Sequence, residues 1–414
     1  MNLIIADETL ENFRGHSFEY SRSVYETAAE RGYPCTTLTR TCVSTEIADQ
    51  IAAIPCFTFN IGHTFRLPLA FRFLPRQVYL HCLGLWNQWV HGRMMLHDLK
   101  QAQPQLDLNA ETIVIAPTVY FNQIIPFVEW AEQLPVEQCP QFALVLHSSA
   151  YPQFTDTDHW ERLYRRAFAR LERSRVVQNF HLFTDAEDLV DEFQDYTRLS
   201  VHLAPIPHSG GVVNGHGRSH CRDVNQPIRI TYLGDSSRRN KGFRFFGGLF
   251  HRLRPYFESG QIVAEIQASL GDSTWQDERL SLARLHDRPG ITVHDGPMGT
   301  DGYYGLLDRA DIVVLPYTTE TYHSQTSGVF SEAVAHGKPV VVPRGTWMAR
   351  QLKKHAVGVT FIPEDPQSLH EAVVDAIDRY HELSDCAARR AVMWSSRHCV
   401  PAYLDTIFKT VGVA

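Results

Sequence analysis

Short apolar runs separated by polar, helix-spaced segments recur along the chain. The first run, Leu3-Ile4-Ile5-Ala6, ends at Asp7 and Glu8, and a polar loop holding Gly15 and His16 follows. Residues 17–31 place apolar side chains at helical spacing and stop at Gly32-Tyr33-Pro34, after which Thr36-Thr37-Leu38-Thr39 predicts a second strand. The runs 56–60, 112–116, 142–146 and 201–204 continue the series. Residues 206–227, rich in Gly, His, Ser and Asn, carry no periodic pattern and predict a linker. The rhythm then restarts with runs at 228–234, 262–266, 291–293, 311–316 and 339–342. Residues 366–383 predict an amphipathic helix, and a last helix is marked by Trp394, Tyr403, Leu404 and Phe408. Strands alternating with helices imply parallel, doubly wound sheets. The expected architecture is therefore α/β, with two Rossmann-like domains at 1–205 and 228–390 facing across a cleft at the carboxyl ends of their strands. A segment at 391–414 is expected to cross back to the first domain.

Composition narrows the function classes. A chain of 414 residues with 44% apolar side chains can fill two cores, which excludes wholesale disorder. A net charge of −7 argues against a dedicated nucleic-acid binder. The eight cysteines are scattered without a CxxC, so they read as small core residues in a reducing compartment rather than a zinc site. The apolar stretch at the first residues is too short for a secretory leader, and no run of about 18 apolar residues predicts a spanning helix. A cytoplasmic setting is expected.

Two segments of the second half carry candidate chemistry. Leu233-Gly234 closes a strand, and the turn to a helix expected at Phe243 holds Arg238, Arg239 and Lys241. Three cations beside a helix start suit an anion, although a solvated basic turn reads the same way. Farther on, Leu315-Pro316-Tyr317 closes a strand, a polar loop runs over 318–328, and a helix is expected from about Val329. Ser327 and Gly328 there can offer N–H groups to a phosphate, and Glu332 can take two hydrogen bonds from a ribose diol. The alternative is that Ser327 caps the helix and Glu332 faces water.

The order strand-Gly…Lys241-Gly242, then Arg-Ala-Asp-Ile-Val-Val-Leu-Pro-Tyr at 309–317, then Ser327-Gly328-x-x-x-Glu332-Ala-x-Ala-x-Gly-Lys-Pro-Val-Val resembles the nucleotide-sugar domain of GT-B glycosyltransferases, most closely the retaining ones of glycosyltransferase family 4. The resemblance covers about residues 228–365. It implies that Lys241, with Arg238 or Arg239, binds the donor diphosphate and stabilises the leaving group. Glu332 would bind the ribose, and Gln325, Thr326, Ser327 and Gly328 would line diphosphate and sugar. Gly296, Pro297 and Met298 match the base-side loop. Gly15 would allow close approach of the chain to the phosphate, and His147, after the strand ending at Val145-Leu146, would sit beside the transferred sugar. The sequence departs from the family pattern twice. Asp235 stands where an arginine usually follows the strand-ending glycine, and Ser324 where the first of two glutamates usually stands.

The resemblance implies a UDP- or GDP-sugar donor as co-substrate and front-face transfer with retention, without a metal or a further cofactor. Asp156-Thr157-Asp158 spells a metal-type triplet but lies far in sequence from the phosphate loops, and reads better as a surface turn. His208, His216 and His220 with Cys221 fit no zinc spacing. Rival readings are a nucleotide-sugar 2-epimerase and a non-catalytic binder of sugar nucleotide. The acceptor, a sugar, glycolipid or protein, is left open. Two stretches, 65–100 and 159–175, are rich in arginine and aromatics. Each can lie on an anionic membrane surface through the first domain, or serve as a core helix with a basic outer face.

Overall fold

The computed structural model describes residues 1–12, 17–60, 63–150, 157–207, 226–234, 236, 238–268, 288–296 and 298–412. Two compact units are present: Met1–Pro207 together with Val400–Ala414, and His208–Cys399.

The first unit is built on seven parallel strands: β1 (Asn2–Ala6), β2 (Cys35–Arg40), β3 (Ala53–Phe57), β4 (Thr112–Ala116), β5 (Gln141–Val145), β6 (Phe180–Thr184) and β7 (Val201–Leu203). Their order across the sheet is β3-β2-β1-β4-β5-β6-β7. The central strands are apolar on both faces because helices cover both. Leu3, Ile5, Ile113, Ile115, Ala143, Val145 and Phe183 pack in one core with Val24 and Ala28 of the helix Ser17–Glu30. On the other face Phe142 meets Phe127 and Trp130 of the helix Phe121–Gln133, each at 5.9 Å between ring centroids.

The second unit holds six parallel strands: β8 (Ile228–Tyr232), β9 (Ile262–Ala268), β10 (Ile291–Asp295), β11 (Ile312–Val314), β12 (Val340–Pro343) and β13 (Gly358–Phe361), in the order β10-β9-β8-β11-β12-β13. In each sheet the strand order reverses direction beside the first strand of the unit, and ligands of open α/β sheets bind outside the carboxyl ends of the strands at such a point.

Several expectations shift. Strand β3 begins three residues before the apolar run at 56, and the runs forming β6 and β13 lie outside the expected set. The closing segment starts at Val400 rather than 391, in the helix Val400–Val411. Trp394 stays in the second unit, on the helix Tyr380–Arg397, where its indole N–H donates to Ser331 Oγ at 2.9 Å. The break falls at His398-Cys399, because the helical pattern is interrupted there and the apolar face resumes with Val400, Tyr403, Leu404, Ile407 and Phe408, all buried against the first sheet.

Candidate functional site

In the second unit, the site assembles at the carboxyl edge of β8 and β11. Beyond β8 the chain does not enter an α-helix at Phe243, as the turn chemistry suggested. It makes a 3-10 turn at Arg239–Lys241, a second at Phe243–Phe245, and only then the helix Phe246–Arg252. Gly242 separates the two turns with φ +66°, and a Cβ there would lie 1.7 Å from the Pro316 carbonyl oxygen. Only glycine allows the turn to lie directly on the loop after β11. The Thr318 N–H donates to the Asn240 carbonyl at 2.9 Å and fastens the same two loops.

This docking buries Lys241. The residue is 8% exposed, and its Nζ stands 4.1 Å from the ring centroid of Tyr317 and 5.1 Å from that of Tyr322. Cation–ring attraction holds an ammonium group in a buried place, where its field on an anion is stronger than in water. Arg238 and Arg239 are exposed, so the solvated-turn reading describes the arginines and not the lysine. Burial pushes the Tyr322 phenol above its ordinary pKa, and the positive charge of Arg238 opposes that shift.

The Ser327–Glu332 segment resolves its two alternatives differently. Ser327 is the N-cap of the helix Gly328–Ala335, its Oγ accepting from the Phe330 N–H at 3.3 Å. Glu332 does not face water: it is 4% exposed. Its carboxylate accepts from the Tyr303 hydroxyl in a short hydrogen bond and from the Tyr304 hydroxyl at 3.5 Å. Both tyrosines lie on the helix Thr300–Arg309. Burial, reinforced by the neighbouring carboxylate, pushes the Tyr303 phenol well above its ordinary pKa, so it remains a donor. Every residue from Val329 to Ala335 is buried, and the Trp394–Ser331 bond fixes the helix from behind. Gly234 lies against the same group: a Cβ there would meet the Tyr317 hydroxyl at 3.5 Å and Val329 at 3.9 Å. Ser324 is buried, and Gln325 and Thr326 are half-buried in the loop that leads to the cap.

Gly296 follows β10 with φ +90° and donates its N–H to the Ala268 carbonyl at 2.8 Å, so the loop continues from the ends of β9 and β10. Met298 touches the first turn of the helix that carries Tyr303, with its Cε 3.4 Å from where a Gly302 Cβ would lie. Gly15, Pro297, Asp235, the histidine cluster at 208–220 with Cys221, and Asp156 lie outside the described residues.

His147 belongs to the first unit. Strands β5 and β6 pair in parallel with Val145 opposite Phe183, and Leu146 N–H continues the ladder to the Phe183 carbonyl at 2.8 Å. Two residues farther along each strand, the same register sets His147 opposite Asp185, with Nδ1 2.9 Å from Oδ2. Burial opposes protonation of the imidazole. The charge and hydrogen bond of Asp185, helped by the Pro117 carbonyl and the charge of Asp7, outweigh it and hold the pKa above the ordinary value. Close by in sequence to Asp7, burial and that neighbouring carboxylate push Glu8 up to about 8. Asp185, Tyr303, Tyr304 and Tyr322 escaped the sequence reading. The usable signal for Asp185 was an acid directly after the strand Phe180–Thr184; the tyrosines offered none, because helical spacing marks Tyr303 and Tyr304 as core.

Comparisons with known proteins bear on the fold and on the second unit. Residues 227–379 match the family model described as "Glycosyl transferases group 1". No curated protein matches the chain by sequence. Among solved structures, Anabaena HepE in complex with UDP is similar with a TM-score of 0.66 at 15% identity, covering 100% of both chains. A trehalose-phosphate synthase from Burkholderia xenovorans in complex with glucose-6-phosphate is similar at 0.64 and 13% identity, covering 100% of both. A glycosyltransferase from Rickettsia africae is similar at 0.60 and 10% identity, covering 99% of this chain and 98% of that one. Residues 227–379 thus form a glycosyl transferases group 1 domain, in a chain whose two parallel-sheet units have the GT-B fold.

Proposed function

We propose that the protein transfers a sugar from a UDP- or GDP-linked donor to an acceptor hydroxyl in the synthesis of a glycan or glycoconjugate. The observation that carries this reading is the joint burial of Lys241 and Glu332 around the end of β11, inside the segment that matches the glycosyl transferases group 1 model. The uridine side of the proposal draws on HepE, whose structures are complexes with UDP and with UDP-glucose. The second unit binds the donor and the first the acceptor.

Lys241 takes the diphosphate and Glu332 the ribose diol, with the N–H groups at Ser327 and Gly328 completing the phosphate contacts. As the bond from the anomeric carbon to the diphosphate oxygen breaks, negative charge grows on the leaving group. Charge-assisted hydrogen bonds are worth about 1.5–3 kcal/mol each, so two or three that strengthen at this moment accelerate transfer by roughly 10²-fold or more. The acceptor oxygen forms the new bond on the same face, its proton passes to the leaving diphosphate, and the anomeric configuration is retained. No metal is needed in this scheme. The His147 imidazole, oriented by Asp185, holds a sugar hydroxyl.

The test is calorimetric binding of UDP, GDP, ADP and TDP and their sugars, followed by transfer assays across an acceptor panel. Lys241→Ala is expected to weaken nucleoside-diphosphate binding by about 10–100-fold while leaving the nucleoside nearly unaffected. Equal losses for both would remove the assigned role. Conversion of the donor alone to an epimer would replace the proposal with an epimerase, donor binding without any turnover with a non-catalytic binder, and an inverted anomer would end the retaining scheme.

A further inference from the structure

The two basic, aromatic stretches of the first unit have opposite fates in the fold. In the helix Thr157–Glu172 the apolar face is spent on the core: Leu163, Tyr164, Ala167, Phe168 and Leu171 are all buried. Two of its four arginines are occupied as well, Arg170 with Glu132, and Arg165 with Glu161 and over the Tyr196 ring, while Arg162 and Arg166 are exposed. The stretch around 63–78 is different. Phe65 and Leu67 turn inward, Phe65 hydrogen bonding through its backbone to Asn87, and the 3-10 turn Leu69–Phe73 then stands out from the unit. Leu69 is 69% and Phe73 88% exposed, and Phe71 and Val78 are exposed too. Nowhere else among the described residues do three large exposed apolar side chains fall within five positions.

Charge says what this turn meets. The chain as a whole carries −7, yet no Asp or Glu occurs from 50 to 97, where Arg66, Arg72, Arg76 and Arg93 do. Arg66 and Arg76, both solvent-exposed, bracket the apolar turn. Exposed apolar side chains flanked along the chain by exposed cations match the chemistry of an anionic bilayer, in which an acyl region lies under a plane of phosphates. A neutral apolar surface would leave the arginines without a partner.

We infer that the turn Leu69–Phe73, with Arg66 and Arg76, is a docking surface for an anionic lipid bilayer. This inference is independent of the proposed sugar transfer, and its test needs neither donor nor acceptor. The full chain is sedimented with vesicles of phosphatidylcholine and with vesicles containing 30% phosphatidylglycerol (about the anionic share of a strongly charged leaflet), at low and high salt. Expected is partition onto the anionic vesicles only, weakened by salt. Leu69→Ser/Phe71→Ser/Phe73→Ser and, separately, Arg66→Glu/Arg76→Glu are each expected to lower the partition coefficient by roughly tenfold or more. All these positions are exposed, and an unchanged melting temperature shows that each variant is folded. No binding of the parent chain to anionic vesicles at low salt overturns the inference. So does equal binding to neutral vesicles, unaltered binding by both variants, or a concentration-dependent dimer that the serine variant dissolves while vesicles are ignored.

Discussion

At the scale of single residues, the second unit buries Lys241 and Glu332 and sets tyrosines against each. Lys241 rests on the faces of Tyr317 and Tyr322, and Glu332 accepts from the hydroxyls of Tyr303 and Tyr304. Tyr303 thereby aims the carboxylate proposed to bind ribose. Tyr303→Phe is expected to reduce the preference for UDP over its 2′-deoxy analogue by about 10–100-fold, the worth of one hydrogen bond to a charged group. A change equal for the two ligands would give Tyr303 a packing role only. In the first unit, Asp185 raises the His147 pKa. The folded protein therefore holds this proton more tightly than the unfolded chain, whose histidine titrates near 6.5. The stabilisation is fully present below about pH 6.5 and is lost as pH rises through the raised value. Asp185→Asn is expected to cost about 1 kcal/mol at pH 6, the difference between a charge-assisted and a neutral hydrogen bond, and less at pH 9. Urea titrations at both pH values measure it; a pH-independent loss contradicts the coupling.

At the scale of elements, backbone conformation decides where these side chains can go. Gly242 and Gly296 both have positive φ, +66° and +90°. At Gly296 an added Cβ meets nothing within 4 Å, whereas at Gly242 it would strike the Pro316 carbonyl. Gly296→Ala is expected to cost only the left-handed backbone penalty of about 1–2 kcal/mol. Gly242→Ala adds displacement of the turn from β11, so a loss of about 3 kcal/mol or more is expected, with weakened diphosphate binding because Lys241 rides on that turn. Similar melting temperatures for the two variants would show that the turn does not need its close approach. The clamp between Trp394 and Ser331 works in the same way on the helix Gly328–Ala335, holding Glu332 by fixing the element that bears it.

At the scale of the whole molecule, the chain leaves its first unit, builds the second, and returns. The returning helix Val400–Val411 buries five large apolar side chains against the first sheet. It is pinned by Tyr20 with Tyr403 at 2.5 Å and by Arg31 with Asp405 at 2.6 Å. Its gross apolar burial is of order 10 kcal/mol, comparable to the net stability of a domain. A chain ending at Cys399 is therefore expected to lose the first unit's melting transition and protease resistance while the second unit still binds nucleoside diphosphate. Retention of both transitions in calorimetry would mean that the helix is dispensable. Among the described residues no helix is long and apolar enough to cross a membrane.

Periodicity along the chain was enough to determine the α/β class, the two sheets and most of their strands, because parallel strands buried on both faces are written as uninterrupted apolar runs. It also marked Lys241, Ser327 and Glu332, since strand ends and helix starts have local signatures. It could not determine that the lysine is buried while Arg238 and Arg239 stay in solvent, that the last crossing begins at Val400, or that the aromatic turn at 69–73 stands out while the helix at 157–172 packs inward. Nor could it pair His147 with Asp185, 38 positions apart, or Glu332 with Tyr303, 29 apart. Those outcomes depend on strand register and on which elements dock face to face. Both are set by burial over the whole unit, which no local window of sequence contains.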